Sequence, residues 1–103
     1  MVLVIARFVA RPDRREELLA LLGEVQEASR RDDGCLNYGY YAEVVDPVQM
    51  VAVEEWRDHD ALEAHLRTPH VARLVEGLPE LGQERPEITV HEISGSGPLR
   101  LPS

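Results

Sequence analysis

Apolar and polar positions divide this chain into six elements separated by turn-forming residues. Val2 to Ala10 is rich in apolar and β-branched side chains on alternate and adjacent positions alike, as in a strand covered on both faces. Arg11-Pro12-Asp13 breaks the run, and Asp13 is placed to cap a helix from Arg14 to about Arg31. Along that helix Leu18, Leu21, Leu22, Val25 and Ala28 form one stripe, so it should lie on a sheet. Asp32-Asp33-Gly34 stops it, with Gly34 supplying the left-handed residue that such a stop favours. Cys35 to Val45 reads as a second strand, and Asp46-Pro47 as the turn into a third, Gln49 to Trp56. Two-residue periodicity sets Met50, Ala52, Glu54 and Trp56 on one side of that third strand, with Val51, Val53 and Glu55 on the other. Asp58 can cap a helix whose Ala61, Leu62, His65 and Leu66 share a face, opposite Asp60, Glu63 and Arg67. At Thr68-Pro69 the helix kinks or restarts, and Val71, Leu74, Val75 and Leu78 carry its apolar side onward. Glu87 to Ile93 is a fourth strand, and Ser94 opens a polar tail.

Strand–helix–strand–strand–helix–strand is the order of the split βαβ, ferredoxin-like α+β fold. It implies one domain over residues 1–93, a four-stranded antiparallel sheet with two helices on one face, and a tail, 94–103, loose or packed on a partner. Two helices cover only one face of such a sheet. The first and third strands are apolar on both faces, so the second face needs another cover, and a second copy of the same sheet supplies it. The expected assembly is a two-fold homodimer, sheet against sheet.

Composition narrows the function classes. Nineteen acidic residues against eleven basic ones give a formal charge of −8, and no segment concentrates basic residues, which disfavours nucleic-acid and anionic-membrane partners. The single Cys35 allows no intrachain disulfide and suits a reducing cytoplasm. Val2 to Ala6 is too short for the core of a signal peptide, and no window reaches transmembrane length.

Local motifs for chemistry are few. His59, His65, His70 and His91 contain no i,i+4 pair, and Cys35 has no ligand at metal-site spacing, so no metal site is expected. Ser29 lacks a nucleophile elbow, Cys35 lacks a basic neighbour, and no glycine-rich loop offers to hold a nucleotide or flavin phosphate. What remains is an aromatic and a titratable ring brought together. Trp56 ends the third strand, and His65 sits between leucines on the buried side of the next helix. Tyr38, Tyr40, Asn37, Glu54, His70 and Met50 are their expected neighbours around one interior space. Glu54 is the unusual member: a carboxylate on an apolar strand face needs a partner, for which Arg7 is a candidate, or a functional role.

Glu54-Glu55-Trp56, followed by Asp60-Ala-Leu-Glu-Ala-His65-Leu-Arg-Thr-Pro-His70, resembles the signature of the antibiotic biosynthesis monooxygenase family, in its quinol-monooxygenase-like branch. Gly34-Cys35-Leu36, Tyr38 and the opening Val-Ile-Ala-Arg-Phe are similar as well, and the likeness spans about residues 2–93. The resemblance implies a dimeric α+β barrel that oxidises quinols or polyketide anthrones with O2, using neither metal nor flavin. Anthrone-oxidising members carry an asparagine four residues before the tryptophan and a tyrosine six after it. Here those positions are Ala52 and Leu62, so of that set only Trp56 is present. Haem-degrading relatives place a histidine ten residues after the tryptophan, whereas His65 is nine residues on.

These readings converge on a cofactor-free monooxygenase for a small electron-rich aromatic, a quinol or an anthrone-like polyketide. His65 is the expected base, with Trp56 and the tyrosines holding the ring. Two other readings stay open: a dimeric module that only binds a hydrophobic metabolite, and an isomerase of the same superfamily.

Overall fold

Four antiparallel strands, β1 (Val2–Val9), β2 (Cys35–Ala42), β3 (Gln49–Trp56) and β4 (Glu87–Glu92), form one sheet in the order β2-β3-β1-β4. These positions come from a computed structural model, which describes residues 1–102. Three helices, α1 (Arg15–Ser29), α2 (His59–Leu66) and α3 (Pro69–Leu81), pack on one face, giving the ferredoxin-like arrangement. The second helical stretch restarts at Thr68-Pro69, so the sheet carries three helices where two were expected. Asp58 starts α2 by accepting the Ala61 N–H at 2.8 Å. Thr68 then caps α3, with Pro69 in the first turn where its missing N–H costs nothing.

Boundaries elsewhere moved for local reasons. Asp13 does not cap α1: it lies in a 3-10 turn, Pro12–Arg14, closed by the Arg14 N–H on the Arg11 carbonyl, and α1 begins without a side-chain cap. Strand β2 stops at Ala42 because the Glu43 carboxylate accepts the N–H groups of Val45 and Asp46 and turns the chain. Gly34 does take the left-handed conformation, at φ 81°. A Cβ there would also lie 2.5 Å from that of Ala61, so glycine lets the α1–β2 loop press directly against α2.

Register decides which side chains meet. Val2, Val4, Ala6 and Phe8 of β1 share the helix-covered face with Met50, Ala52, Glu54 and Trp56 of β3 and with Tyr38 and Tyr40 of β2. Side chains at the C-terminal end of α1 and just beyond it hold β2 in place: the Gln26 Oε1 accepts the Tyr40 N–H at 3.1 Å, and the Nε–H of Arg30, the residue after the helix, donates to the Tyr38 carbonyl at 2.9 Å. The opposite face carries Leu3, Ile5, Val9, Val51 and Val53, all only partly buried, beside exposed Tyr41. Arg7 is on that face too, opposite Val51, so it cannot be the partner of Glu54. Among the described residues, no helix is long and apolar enough to cross a membrane.

Candidate active site

A cavity of about 190 Å³ lies between the sheet and the helices α2 and α3. Val4, Ala6, Phe8 and Ala52 form its floor, Leu62, Val71, Leu74 and Leu78 its roof, and the half-exposed Ile88 and Val90 of β4 its outer side. Its polar lining comes from four residues: Glu54, His65, Tyr38 and Tyr40. A space of this size exceeds an engineered cavity of about 150 Å³ that takes up benzene, and falls below the usual pocket for a drug-sized ligand.

His65 reaches this wall from the last turn of α2, where helical spacing turns it inward with Ala61 and Leu62. Its Nδ1–H donates to Asp32 Oδ2 at 2.8 Å, and the His70 Nε2–H donates to the same oxygen, also at 2.8 Å. A carboxylate offers only acceptors, so this contact fixes the proton of His65 on Nδ1 and leaves a lone pair on Nε2. Nε2 stands 3.9 Å from Glu54 Oε1. Burial pulls the imidazole below its ordinary range, and the Asp32 carboxylate pushes it partly back. The product is a neutral, oriented ring with its basic nitrogen on the cavity side.

Glu54 has its partner within its own strand. The Trp56 Nε1–H donates to Glu54 Oε1 at 2.9 Å, and burial raises the carboxyl above its usual range despite that bond. Tyr38 and Tyr40 join hydroxyls at 2.7 Å, and burial pushes Tyr38 up to about 12 and Tyr40 higher. Both phenols are therefore neutral at any physiological pH, and because one hydroxyl donates to the other, one O–H of the pair is left free.

Other expected neighbours stand elsewhere. Trp56 is fully buried and is not part of the cavity wall; it lies behind His65, ring centroids 4.4 Å apart, tilted by 34°. Its register opposite Val2 and Cys35 puts it at the end of the sheet, under α2, where it supports the imidazole from below. Met50 belongs to the core at the other end, with Phe8 and Leu22. Asn37 faces the uncovered side of the sheet, its side-chain amide donating to Glu55 at 3.2 Å, because a bulge between Cys35 and Asn37 shifts the register of β2. His70 meets Asp32 and stays off the cavity wall. Asp32 was the residue sequence reading missed. It looked like part of a helix stop, and its two histidine partners lie 33 and 38 residues away.

The model of the family described as antibiotic biosynthesis monooxygenase matches residues 1–77. Over 69 residues the chain is 44% identical to "Putative monooxygenase Rv0793" of Mycobacterium tuberculosis, covering 67% of each sequence. The solved structure of that protein superposes with a TM-score of 0.87, covering 94% of this chain and 98% of the other. A structure from Deinococcus radiodurans, 26% identical and described as a "putative antibiotic biosynthesis monooxygenase", gives 0.90 over 97% of this chain and 99% of its own. An uncharacterised protein of Synechocystis, sll1783, is 31% identical over 90% of this chain, which spans 63% of that relative's length.

Proposed function

This chain belongs to the antibiotic biosynthesis monooxygenase family, and we propose that it is a homodimeric, cofactor-independent monooxygenase acting on a quinol or a comparably small, electron-rich phenol in the cytoplasm. The observation that carries the reading is the Asp32–His65 pair: an apolar cavity with a single imidazole in its wall, whose Nδ1 is engaged by a carboxylate behind it so that Nε2 is left for the cavity side.

His65 Nε2 takes the phenolic proton. The resulting anion gives one electron to O2, and the substrate radical and superoxide then combine to form a C–O bond. The peroxide oxygen recovers the proton from His65, and loss of water leaves a carbonyl. One oxygen atom enters the product and the other leaves as water. Tyr38 and Tyr40 stay protonated, the O–H of the pair that is not spent on their mutual bond can donate to a phenolate or quinone oxygen, and the dry walls shield the radical pair. The cavity favours one or two fused rings over a three-ring anthrone, since it is only modestly larger than a benzene-sized site.

The test is O2 consumption by metal-free protein across a panel of quinols and anthrones. His65→Ala should lower the chemical rate roughly a hundredfold to ten-thousandfold, the usual worth of a general base, while product affinity changes far less. A His65→Ala variant that folds normally and keeps full turnover would leave His65 a core residue and remove this mechanism.

A further inference from the structure

The arrangement behind His65 has a second chemistry in it. Asp32 Oδ2 is 2.8 Å from both His65 Nδ1 and His70 Nε2, the three residues each bring a ligand atom within 4.8 Å of the others, and they come from three separate segments: the α1–β2 loop, α2 and the first turn of α3. Two imidazoles and a carboxylate, with a coordination position left open, are a donor set that Zn2+ and similar ions accept. The histidine side chains are 2% and 11% exposed and the Asp32 side chain 18%, so the three are held in place by the fold. On the far side from the apolar cavity, a solvent crevice of about 220 Å³ is lined by Asp32, His65 and Thr68, with Asp33 and Asp60 adding negative charge and Arg57 opposing it. That crevice gives an ion a route in and leaves room for a water as fourth ligand.

We propose that Asp32, His65 and His70 bind a divalent transition-metal ion of the Zn2+ type, and that the bound ion switches the base off. Asp32 and His70 do not line the apolar cavity, so the ion would sit behind the imidazole, away from the substrate. With Nδ1 occupied by metal, the remaining proton of a neutral imidazole must be on Nε2. The nitrogen facing Glu54 and the cavity then donates where it previously accepted, and it has no lone pair for a substrate proton. Binding of the ion is independent of the reaction proposed above; its effect on turnover rests on that reading.

Titration of the metal-free protein with Co2+, followed by displacement with Zn2+, tests the site directly. One Co2+ per chain should bind with the intense visible band of a four- or five-coordinate ion. Asp32→Asn and His70→Gln should each weaken binding at least about tenfold, and His59→Gln and His91→Gln should leave it unchanged. Nitrogen NMR of the unaltered protein, which does not depend on any variant folding, should show the His65 proton on Nδ1 without metal and on Nε2 at saturating Zn2+. A weak octahedral spectrum, equal loss of binding in the His59 or His91 variant, or a proton that stays on Nδ1 with Zn2+ bound would overturn the proposal. Should Zn2+ bind and move the proton while no quinol or anthrone is ever oxidised, the metal site stands and the monooxygenase reading falls.

Discussion

Glu54 occupies a position where a carboxylate is costly, and the cost has a pH signature. Its folded-state pKa lies above the ordinary value because burial outweighs the hydrogen bond from Trp56. Relative to the unfolded chain, native Glu54 holds its proton to higher pH. Its favourable contribution is therefore complete below the ordinary carboxylate range and is lost as pH rises through the elevated value. Glu54→Gln keeps an oxygen to accept the Trp56 N–H and removes the ionisation. The variant should gain stability over the parent at pH 7 and lose that advantage near pH 4, as read from urea midpoints at the two values. A larger advantage in acid would mean that the carboxylate is stabilised by its site. The sequence marked Glu54 as unusual, because one polar residue interrupts an apolar strand face. Its true partner, two residues away on the same face, was equally legible, whereas Arg7 shares neither face nor register with it.

Among the elements, the junction of α1, β2 and α2 positions the candidate base. Gly34 ends the loop carrying Asp32 and touches Ala61 at the start of α2. Gly34→Ala adds both a left-handed strain and a clash, so it should cost about 1–3 kcal/mol in unfolding free energy. It should also lower turnover more than a stability loss alone explains, because α2 would have to move away from Asp32. Full activity with the expected loss of stability would show that the Asp32–His65 contact tolerates displacement. The sequence foretold the glycine's conformation and the inward turn of His65, since both follow from local rules. It did not foretell the triad: Asp32 joins α2 and α3 only when the helices are laid on the sheet, and no short spacing encodes that meeting. Trp56 was misplaced for a similar reason. Its burial followed from the strand pattern, but which end of the sheet holds the cavity depends on where α3 crosses.

At the scale of the molecule, helices cover one face of the sheet and leave Leu3, Ile5, Val9, Val51 and Val53 partly exposed on the other. Polar groups share this face: Arg7 stands between Ile5 and Val9, opposite Val51 on one side and Glu87 on the other, and Asn37 is bonded to Glu55 at the β2 edge. A second copy placed across it would take these apolar groups out of water, as the centres of stable interfaces do. Sedimentation at micromolar concentration should show a dimer, and Val51→Asp or Val53→Asp should give monomer or aggregate, since a charge would enter the dry centre. A compact native monomer for the unaltered chain would contradict this assembly.

Because β1 and β4 are antiparallel neighbours, with Val2 opposite Glu92 and the Ile93 N–H bonded to the Met1 carbonyl at 2.9 Å, the two ends of the sheet-forming chain meet. The protein is in this sense a closed loop that happens to be cut at one place. A circular permutant that joins Ile93 to Met1 by a short linker and opens at the Val44–Val45 turn, both residues 87% or more exposed, would keep every strand pair. It would exchange the roles of two pairings: β4–β1 becomes the local one, and β2–β3 must be closed across nearly the whole chain. Native stability should change little, while the folding route should shift its early contacts from the β2–β3 side toward β4–β1. Folding kinetics of substitutions in each pair, compared between the two connectivities, measure that shift; an unchanged order of events would mean that the core under α2 and α3, rather than either strand pair, sets the pace.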